Sequence, residues 1–197
     1  GYKEDEYAFY LDDLKAKALI VLEGDDGPAV KAATKLGIAI LRLSFDASGP
    51  AGTFILSGDT GLKDNDKTAP AEGDVALILH TSGTTSRPKI VPLTQANLYA
   101  SALNIRTSLT LTSSDRCLSI MPLFHIHGLI AALSATMAAG GEISCAPGFN
   151  ALKFFGQIKD VDPTWYTAVP TMHQAILARS ARNKDIINAA RLRFLRS

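Results

Sequence analysis

The sequence has few cysteines, little excess charge and no long apolar run, and each shortage excludes a class of protein. Its two cysteines, Cys117 and Cys145, stand apart among apolar residues without a C-x-x-C pair. They predict buried thiols, and neither a disulfide framework nor a zinc site. Lys and Arg number 20 against 19 Asp and Glu, so no strong field would gather nucleic acid or an anionic membrane. The longest apolar stretch, 129–139, is about half of what a membrane crossing requires and predicts a buried helix.

What the sequence does contain is an alternation of short apolar runs with segments of helical periodicity. The predicted strands are 18–22, 38–41, 75–79, 117–121, 142–146 and 164–169. The predicted helices are 4–14, 28–36, 95–109 with Thr94 as its cap, 128–139, 151–161 capped by Asn150, and 171–180. This order predicts an α/β fold with largely parallel sheets and helices on both faces.

The region 44–73 interrupts the alternation. It is rich in Gly, Ser and Asp, is too long for an ordinary connection, and contains only a short extended stretch near 53–56. We interpret it as a surface excursion that ends a first portion, 1–73, before a second portion, 74–197. The apolar residues of 192–197 look like the opening of a further strand, so the chain is expected to be a fragment of a larger domain.

A loop rich in hydroxyl groups follows the strand 75–79. Residues 81–89 contain five Ser or Thr side chains, one glycine and two cations. Backbone N–H groups in a glycine-containing turn, hydroxyl donors and a lysine together suit a polyphosphate. The same composition also fits a solvated linker. A Walker A loop is disfavoured, because Pro88 precedes Lys89 and Ile90 stands where that motif needs a hydroxyl.

Three motifs give this sequence a resemblance to a known family. Residues 78–89 match a hydrophobic strand followed by [ST]-[ST]-G-[ST]-[ST]-[GS]-x-P-K, the phosphate-loop signature of the acyl-adenylate-forming superfamily. Residues 122–129 resemble its P-x-F-H-x-x-G-L segment, and 164–171 resemble its Y-x-x-V-P turn. The residue sequences of all three motifs are most similar to those of the oxalate–CoA ligases, and the resemblance runs from about residue 2 to 197. It implies part of the N-terminal domain of an AMP-forming acid–CoA ligase.

The resemblance implies a reaction in which a carboxylate attacks the α-phosphate of ATP and the thiol of CoA then displaces AMP. The phosphate-binding residues would be Thr81, Ser82, Gly83, Thr84, Thr85 and Lys89. Thr84 would also contact Mg²⁺. His125 would gate the acyl site as a catalytic and substrate-binding residue, with a core-facing histidine as the alternative. Thr171 and His173 would line the pocket of a small charged acid, whereas His127 is expected to be a structural hydrogen-bonding residue.

One position departs from the family, which usually has glycine after the loop lysine where this chain has Ile90. A β-branched residue would impair the loop if positive φ is needed, but would suit an extended backbone. The family's Y-G-x-T-E segment, ribose-binding aspartate and C-terminal lysine fall beyond Ser197, so this chain alone is expected to be inactive. A carrier-protein-loading adenylation domain and a non-catalytic nucleotide-binding module remain alternatives. The expected compartment is the cytoplasm, or the peroxisome in a eukaryote.

Overall fold

The computed structural model describes residues 1–46, 48–50, 52–59, 61, 69–81 and 88–197. The chain divides into two compact units, 1–68 and 69–197. The sequence prediction placed this division at residue 73.

The first unit is a small three-stranded α/β layer. Its elements are α1 (Glu4–Asp13), β1 (Ala18–Leu22), α2 (Pro28–Lys35), β2 (Ala39–Ser44) and β3 (Ile55–Ser57). Strands β1 and β2 are parallel, and β3 pairs antiparallel with β2. Helix α2 begins at Pro28, whose fixed φ and missing N–H suit a first helical turn. Its small residues Ala32 and Ala33 pack with Leu11 of α1 in the core of this unit.

The second unit opens with a hairpin and a helix. Strands β4 (Val75–Thr81) and β5 (Lys89–Thr94) are antiparallel, and α3 (Gln95–Ser108) follows at once. The Thr94 hydroxyl accepts the Asn97 N–H at 3.2 Å, which confirms the predicted cap.

A four-stranded parallel sheet forms the rest of this unit. Its strands are β6 (Arg116–Ser119), β7 (Glu142–Cys145), β8 (Trp165–Thr167) and β9 (Phe194–Arg196), in the spatial order β7-β6-β8-β9. The intervening helices are a π-helix (His127–Ser134), α4 (Ala135–Ala138), α5 (Phe154–Val161), α6 (Pro170–Leu177), a 3₁₀ turn (Ser180–Arg182) and α7 (Lys184–Ala189).

Helices cover both faces of the four-stranded sheet. Successive side chains of a strand point to opposite sides, so each strand contributes apolar residues to both faces. Cys117 and Trp165 lie in one apolar cluster with Ala132 of the π-helix and Ala135 of α4. The next residues along the same strands pack on the other face against α5 and α6; they are Leu118 and Tyr166. The α/β prediction with largely parallel sheets is therefore confirmed, and the β4–β5 hairpin is its antiparallel exception.

Several local predictions were wrong in detail. The apolar stretch 128–139 is helical, but most of it winds as a π-helix. Asn150 Oδ1 does accept backbone N–H groups, those of Leu152 at 2.9 Å and Lys153 at 3.3 Å, yet these close a turn and α5 begins only at Phe154. Helix α7 was not predicted.

The two cysteines differ from each other. Cys117 is fully buried, and burial raises the pKa of its thiol to about 12, as expected of an inert core residue. Cys145 is exposed, which contradicts the prediction that both thiols are buried. The reason is that Cys145 is the last residue of β7, which is an edge strand of the four-stranded sheet.

Candidate functional site

The hairpin β4–β5 holds the two ends of the hydroxyl-rich loop together. Thr81 ends β4, Lys89 begins β5, and the two residues are direct register partners. Both are exposed. Four other predicted phosphate contacts lie outside the described residues; they are Ser82, Gly83, Thr84 and Thr85. The described geometry thus places one hydroxyl and one cation side by side at the mouth of the loop.

Ile90 takes an ordinary extended conformation. It lies in β5 opposite His80 of β4 and is not among the residues with positive φ. A β-branched side chain suits such a position. Of the two outcomes considered for this departure from the family pattern, the structure shows the extended one.

A row of polar side chains crosses the carboxyl edge of the four-stranded sheet. The last residues of its strands are neighbours in register: Cys145, Ser119, Thr167 and Arg196. Two positions earlier on each strand the side chains belong to the apolar cluster beneath the π-helix; they are Ile143, Cys117, Trp165 and Phe194. Because side chains alternate, the terminal row lies on this same face. The face changes from apolar to polar at the edge where open α/β sheets bind ligands.

The π-helix places a histidine over this row. His127, its first residue, lies with Nε2 2.5 Å from the Thr167 hydroxyl oxygen. Thr167 in turn donates to the Arg196 carbonyl oxygen at 3.3 Å. Burial first, and then the charge of Arg196, lower the pKa of His127. The imidazole is therefore neutral at pH 7.

Two donors in the row have no partner among the described residues. The Ser119 hydroxyl oxygen and Arg196 Nη1 are both buried, and neither makes a hydrogen bond. Ser119 is only 1% exposed. A buried donor without a partner is costly for folding, so in the complete protein a ligand, a water molecule or another part of the chain is expected to satisfy these two. A guanidinium, a hydroxyl and a neutral imidazole on one face suit a small anion such as a carboxylate.

The opposite edge of the same sheet carries a hydrogen-bonded cluster around Asp115. Asp115, which precedes β6, accepts two hydrogen bonds of 2.9 Å from the guanidinium of Arg193, which precedes β9. Thr164, which precedes β8, donates to the same carboxylate at 2.7 Å, and Thr112 N–H donates to it at 2.9 Å. Every partner is internal, so this cluster stabilises the fold.

The predicted acid-site residues are not all in one place. His125 is exposed on the turn before the π-helix, against the ring of Phe124 at 4.8 Å, and is not the core-facing histidine considered as its alternative. Thr171 is exposed at the start of α6. His173 lies on the other face of the sheet, where its Nε2 donates to the Arg196 carbonyl at 3.1 Å and its Nδ1 lies 3.4 Å from the Tyr166 hydroxyl. It lines a largely apolar cavity of about 400 Å³.

Sequence reasoning missed three residues of the polar row: Ser119, Thr167 and Arg196. Each lies within a segment that the sequence predicts as extended, and each stands two positions after an apolar residue. The signal is that each polar residue lies on the same face of its strand as the apolar residue two positions before it. That the three residues are neighbours follows only once the parallel register of the strands is known.

Comparison with known proteins decides the family. A family model described as "AMP-binding enzyme" matches residues 1–196 of the chain. The chain belongs to the AMP-binding enzyme family. Its relatives within this family include the oxalate–CoA ligase of Arabidopsis thaliana, 41% identical over 200 residues, which span the whole chain and 39% of that protein. The oxalate–CoA ligase of Saccharomyces cerevisiae is 38% identical, over the whole chain and 40% of that protein.

Solved structures of other proteins share the fold. The ATP-bound MatB from Rhodopseudomonas palustris superimposes with a TM-score of 0.76 at 25% identity, over 99% of this chain and 37% of that one. The chain thus spans about two fifths of the length of the relatives it matches. In the described residues, no helix of this family member is long and apolar enough to span a membrane.

Proposed function

We propose that the protein containing this chain is an AMP-forming acid–CoA ligase for a small carboxylic acid, with oxalate as the first candidate. The observation that carries the proposal is the polar row, in which buried Arg196 and Ser119 donors lie unpartnered beside a neutral His127. A fatty acid would bring an apolar chain to this row, whereas a short acid brings oxygen atoms that satisfy its donors. Membership of the family and the relatives named above support the same activity.

The two described ends of the hydroxyl-rich loop support the nucleotide half of the proposal. Thr81 supplies a hydroxyl and Lys89 a mobile positive charge, and both face solvent at neighbouring positions. Together with Ser82, Gly83, Thr84 and Thr85 they would bind the β- and γ-phosphates of ATP and stabilise the charge of departing pyrophosphate.

Mg²⁺ would be held chiefly by the phosphates. Groups of three or more His, Cys, Asp or Glu side chains that could hold a metal ion do not occur in the described ranges. Magnesium bound by substrate phosphates needs few protein ligands, which agrees with a hydroxyl such as Thr84 as its contact.

The proposed reaction has two steps. One oxygen of the acid attacks the α-phosphorus of ATP, the bond to the β-phosphate oxygen breaks, and pyrophosphate leaves. The CoA thiol then attacks the carbonyl carbon of the acyl-adenylate, loses its proton and releases AMP. Arg196 and Ser119 would bind the acid by its oxygens, and His125, on the turn beside this site, would gate the acid's entry.

The direct test is ATP–pyrophosphate exchange by the complete protein with a panel of acids. We expect exchange with oxalate and other short acids and little with acids of eight or more carbons. Exchange that depends on an acid but is never followed by acyl-CoA formation would favour a carrier-loading adenylation domain. No exchange with any acid would favour a nucleotide-binding module and contradict the proposal. Residues 1–197 alone are expected to release no pyrophosphate.

Arg196 offers a sharper test. Replacing it with lysine keeps the charge but removes the planar fork that binds a carboxylate through two hydrogen bonds. We expect Arg196→Lys to lower kcat/KM for the acid by about tenfold or more, with the KM for ATP unchanged. Arg179→Lys, on the segment after α6, is the matched control and should leave both constants unchanged. An equal loss for both nucleotide and acid would show a general structural defect.

A further inference from the structure

The connection between β8 and α6 holds the end of β9 through one carbonyl group. The Arg196 carbonyl oxygen accepts the Ala168 N–H at 3.1 Å and lies 3.1 Å from His173 Nε2. Ala168 belongs to the two-residue connection between β8 and α6, and His173 is the fourth residue of α6. A carbonyl oxygen can only accept, so His173 Nε2 carries a proton and donates it to this bond.

The imidazole of His173 is itself held in place by packing. Its ring lies 5.5 Å from the ring of Tyr166, and its Nδ1 lies 3.4 Å from the Tyr166 hydroxyl. Tyr166 is buried and packs edge-on against Phe154 at 5.0 Å. The His173 ring is therefore fixed between a buried aromatic side chain and the end of β9, which sets the direction of its Nε2–H.

The backbone of Arg196 connects the two faces of the sheet. Among the described residues β9 pairs with β8 alone, so the placement of its last residue depends on few bonds. The carbonyl group lies near the plane of the sheet, whereas the Arg196 side chain points to the polar row, on the face opposite His173. A donor on one face thus fixes the backbone from which the guanidinium extends toward the other face.

We propose that His173 is a positioning residue for the acid: by donating to the Arg196 carbonyl, it sets where the Arg196 guanidinium lies in the polar row. The inference rests on the proposed function, because it concerns the acid that Arg196 would bind. It gives His173 a role different from the pocket lining that the sequence predicts, since His173 acts through Arg196 from the other side of the sheet. A bidentate contact between guanidinium and carboxylate tolerates little displacement, so a small shift of the β9 end should weaken it.

Two substitutions of similar length separate the hydrogen bond from packing. His173→Gln keeps an N–H donor that can reach the carbonyl, whereas His173→Met fills the same apolar cavity without a donor. In steady-state kinetics of the complete protein with oxalate, or with the best acid of the panel, we expect His173→Met to raise the KM for the acid by about fivefold or more. Both kcat and the KM for ATP should stay near wild type, and His173→Gln should recover most of the lost affinity. The control is Gln174→Leu, an exposed neighbour that lines the same cavity and should change neither KM.

The Arg196→Lys background tests whether the effect passes through the guanidinium. That variant already lacks the planar fork, so His173→Met should raise its KM for the acid by less than about twofold. A full fivefold increase in this background would overturn the inference. So would an unchanged KM for the acid in His173→Met, with or without a loss of unfolding free energy in urea, or a failure of His173→Gln to recover it.

A measurement on the wild type supports or overturns the inference even if His173→Met does not fold. NMR of the complete protein labelled with ¹⁵N-histidine, with the His173 signals assigned from His173→Gln, should show a protonated Nε2 near neutral pH. An unprotonated Nε2 would overturn the inference whatever the enzyme's activity. Each contrary result, in the kinetics or by NMR, leaves the proposed function intact as long as the wild type turns over an acid. If no acid of the panel supports exchange, the proposed function and this inference fail together.

Discussion

At the scale of single residues, Asp115 is the charge on which the amino edge of the four-stranded sheet depends. It is 3% exposed, and its carboxylate accepts hydrogen bonds from Thr164, which precedes β8, and from Arg193, which precedes β9. Replacing it with asparagine leaves the Arg193 guanidinium without its counter-charge and sets an amide donor against other donors. We expect Asp115→Asn to lower the free energy of unfolding by about 2–3 kcal/mol, measured by urea denaturation.

The matched control for this substitution is Glu142→Gln. Glu142 forms a single hydrogen-bonded ion pair of 2.9 Å with Arg116, and both side chains are well exposed. Exposed pairs contribute under about 1 kcal/mol, so this amide substitution should change little. Equal losses from the two variants would contradict the distinct role given to Asp115.

The contribution of Asp115 to the free energy of unfolding should depend on pH in the acid range. Burial raises the pKa of Asp115, but the Thr112 and Thr164 hydrogen bonds and the Arg193 charge outweigh it and hold the pKa below its ordinary value. The unfolded state therefore binds more protons near pH 4. The stabilisation from Asp115 is complete above the unfolded pKa of about 4 and is lost as the pH falls through the folded value. We expect the stability difference between wild type and Asp115→Asn to shrink steadily below about pH 4 in urea titrations.

At the scale of elements, the π-helix depends on a close backbone approach. Gly128, its second residue, lies so near the preceding turn that a Cβ atom would be 2.3 Å from the Pro122 carbonyl oxygen. We expect Gly128→Ala to lower the free energy of unfolding by about 2–3 kcal/mol through overpacking. The neighbouring His127 should also lose its contact with Thr167, visible as a change in its ¹⁵N signals.

Gly156 supplies the control for this prediction. It lies exposed within α5, and nothing is within 4 Å of the Cβ position. Gly156→Ala should therefore raise stability by about 0.5–1 kcal/mol, because alanine restricts the unfolded chain more than glycine does. A destabilisation by Gly128→Ala no larger than the change at Gly156 would show that the turn simply moves aside.

The strands and most helices could be predicted because their signals are local. Apolar runs such as 18–22 and 75–79 fix strands, and Pro28 and Thr94 fix helix starts. The π winding could not be predicted, because the segment His127–Ser134 has the composition of an ordinary apolar helix. Helix α7 was missed because its six residues show too short a period.

At the scale of the whole molecule, the two edges of the four-stranded sheet differ in how their polar side chains are bonded. Around Asp115 at the amino edge the polar side chains bond to one another, whereas at the carboxyl edge the Ser119 hydroxyl and Arg196 Nη1 have no partner among the described residues. The phosphate-binding role of the hydroxyl-rich loop and the role of His125 stay predictions, which come from motifs that are contiguous in sequence. The row containing Arg196 could not, since its members come from four separate strands and meet only through the parallel register.

The segment between Thr81 and Lys89 is proposed to bind the triphosphate of ATP, and equilibrium binding of MgATP to the complete protein measures this. Lys89→Met should weaken binding by about tenfold or more, because it removes a charge-assisted contact to phosphate. Lys159→Met, which changes an exposed lysine of α5, should bind MgATP as the wild type does. A wild type without measurable affinity for MgATP, or equal affinity in the two lysine variants, would show that this segment does not bind the triphosphate.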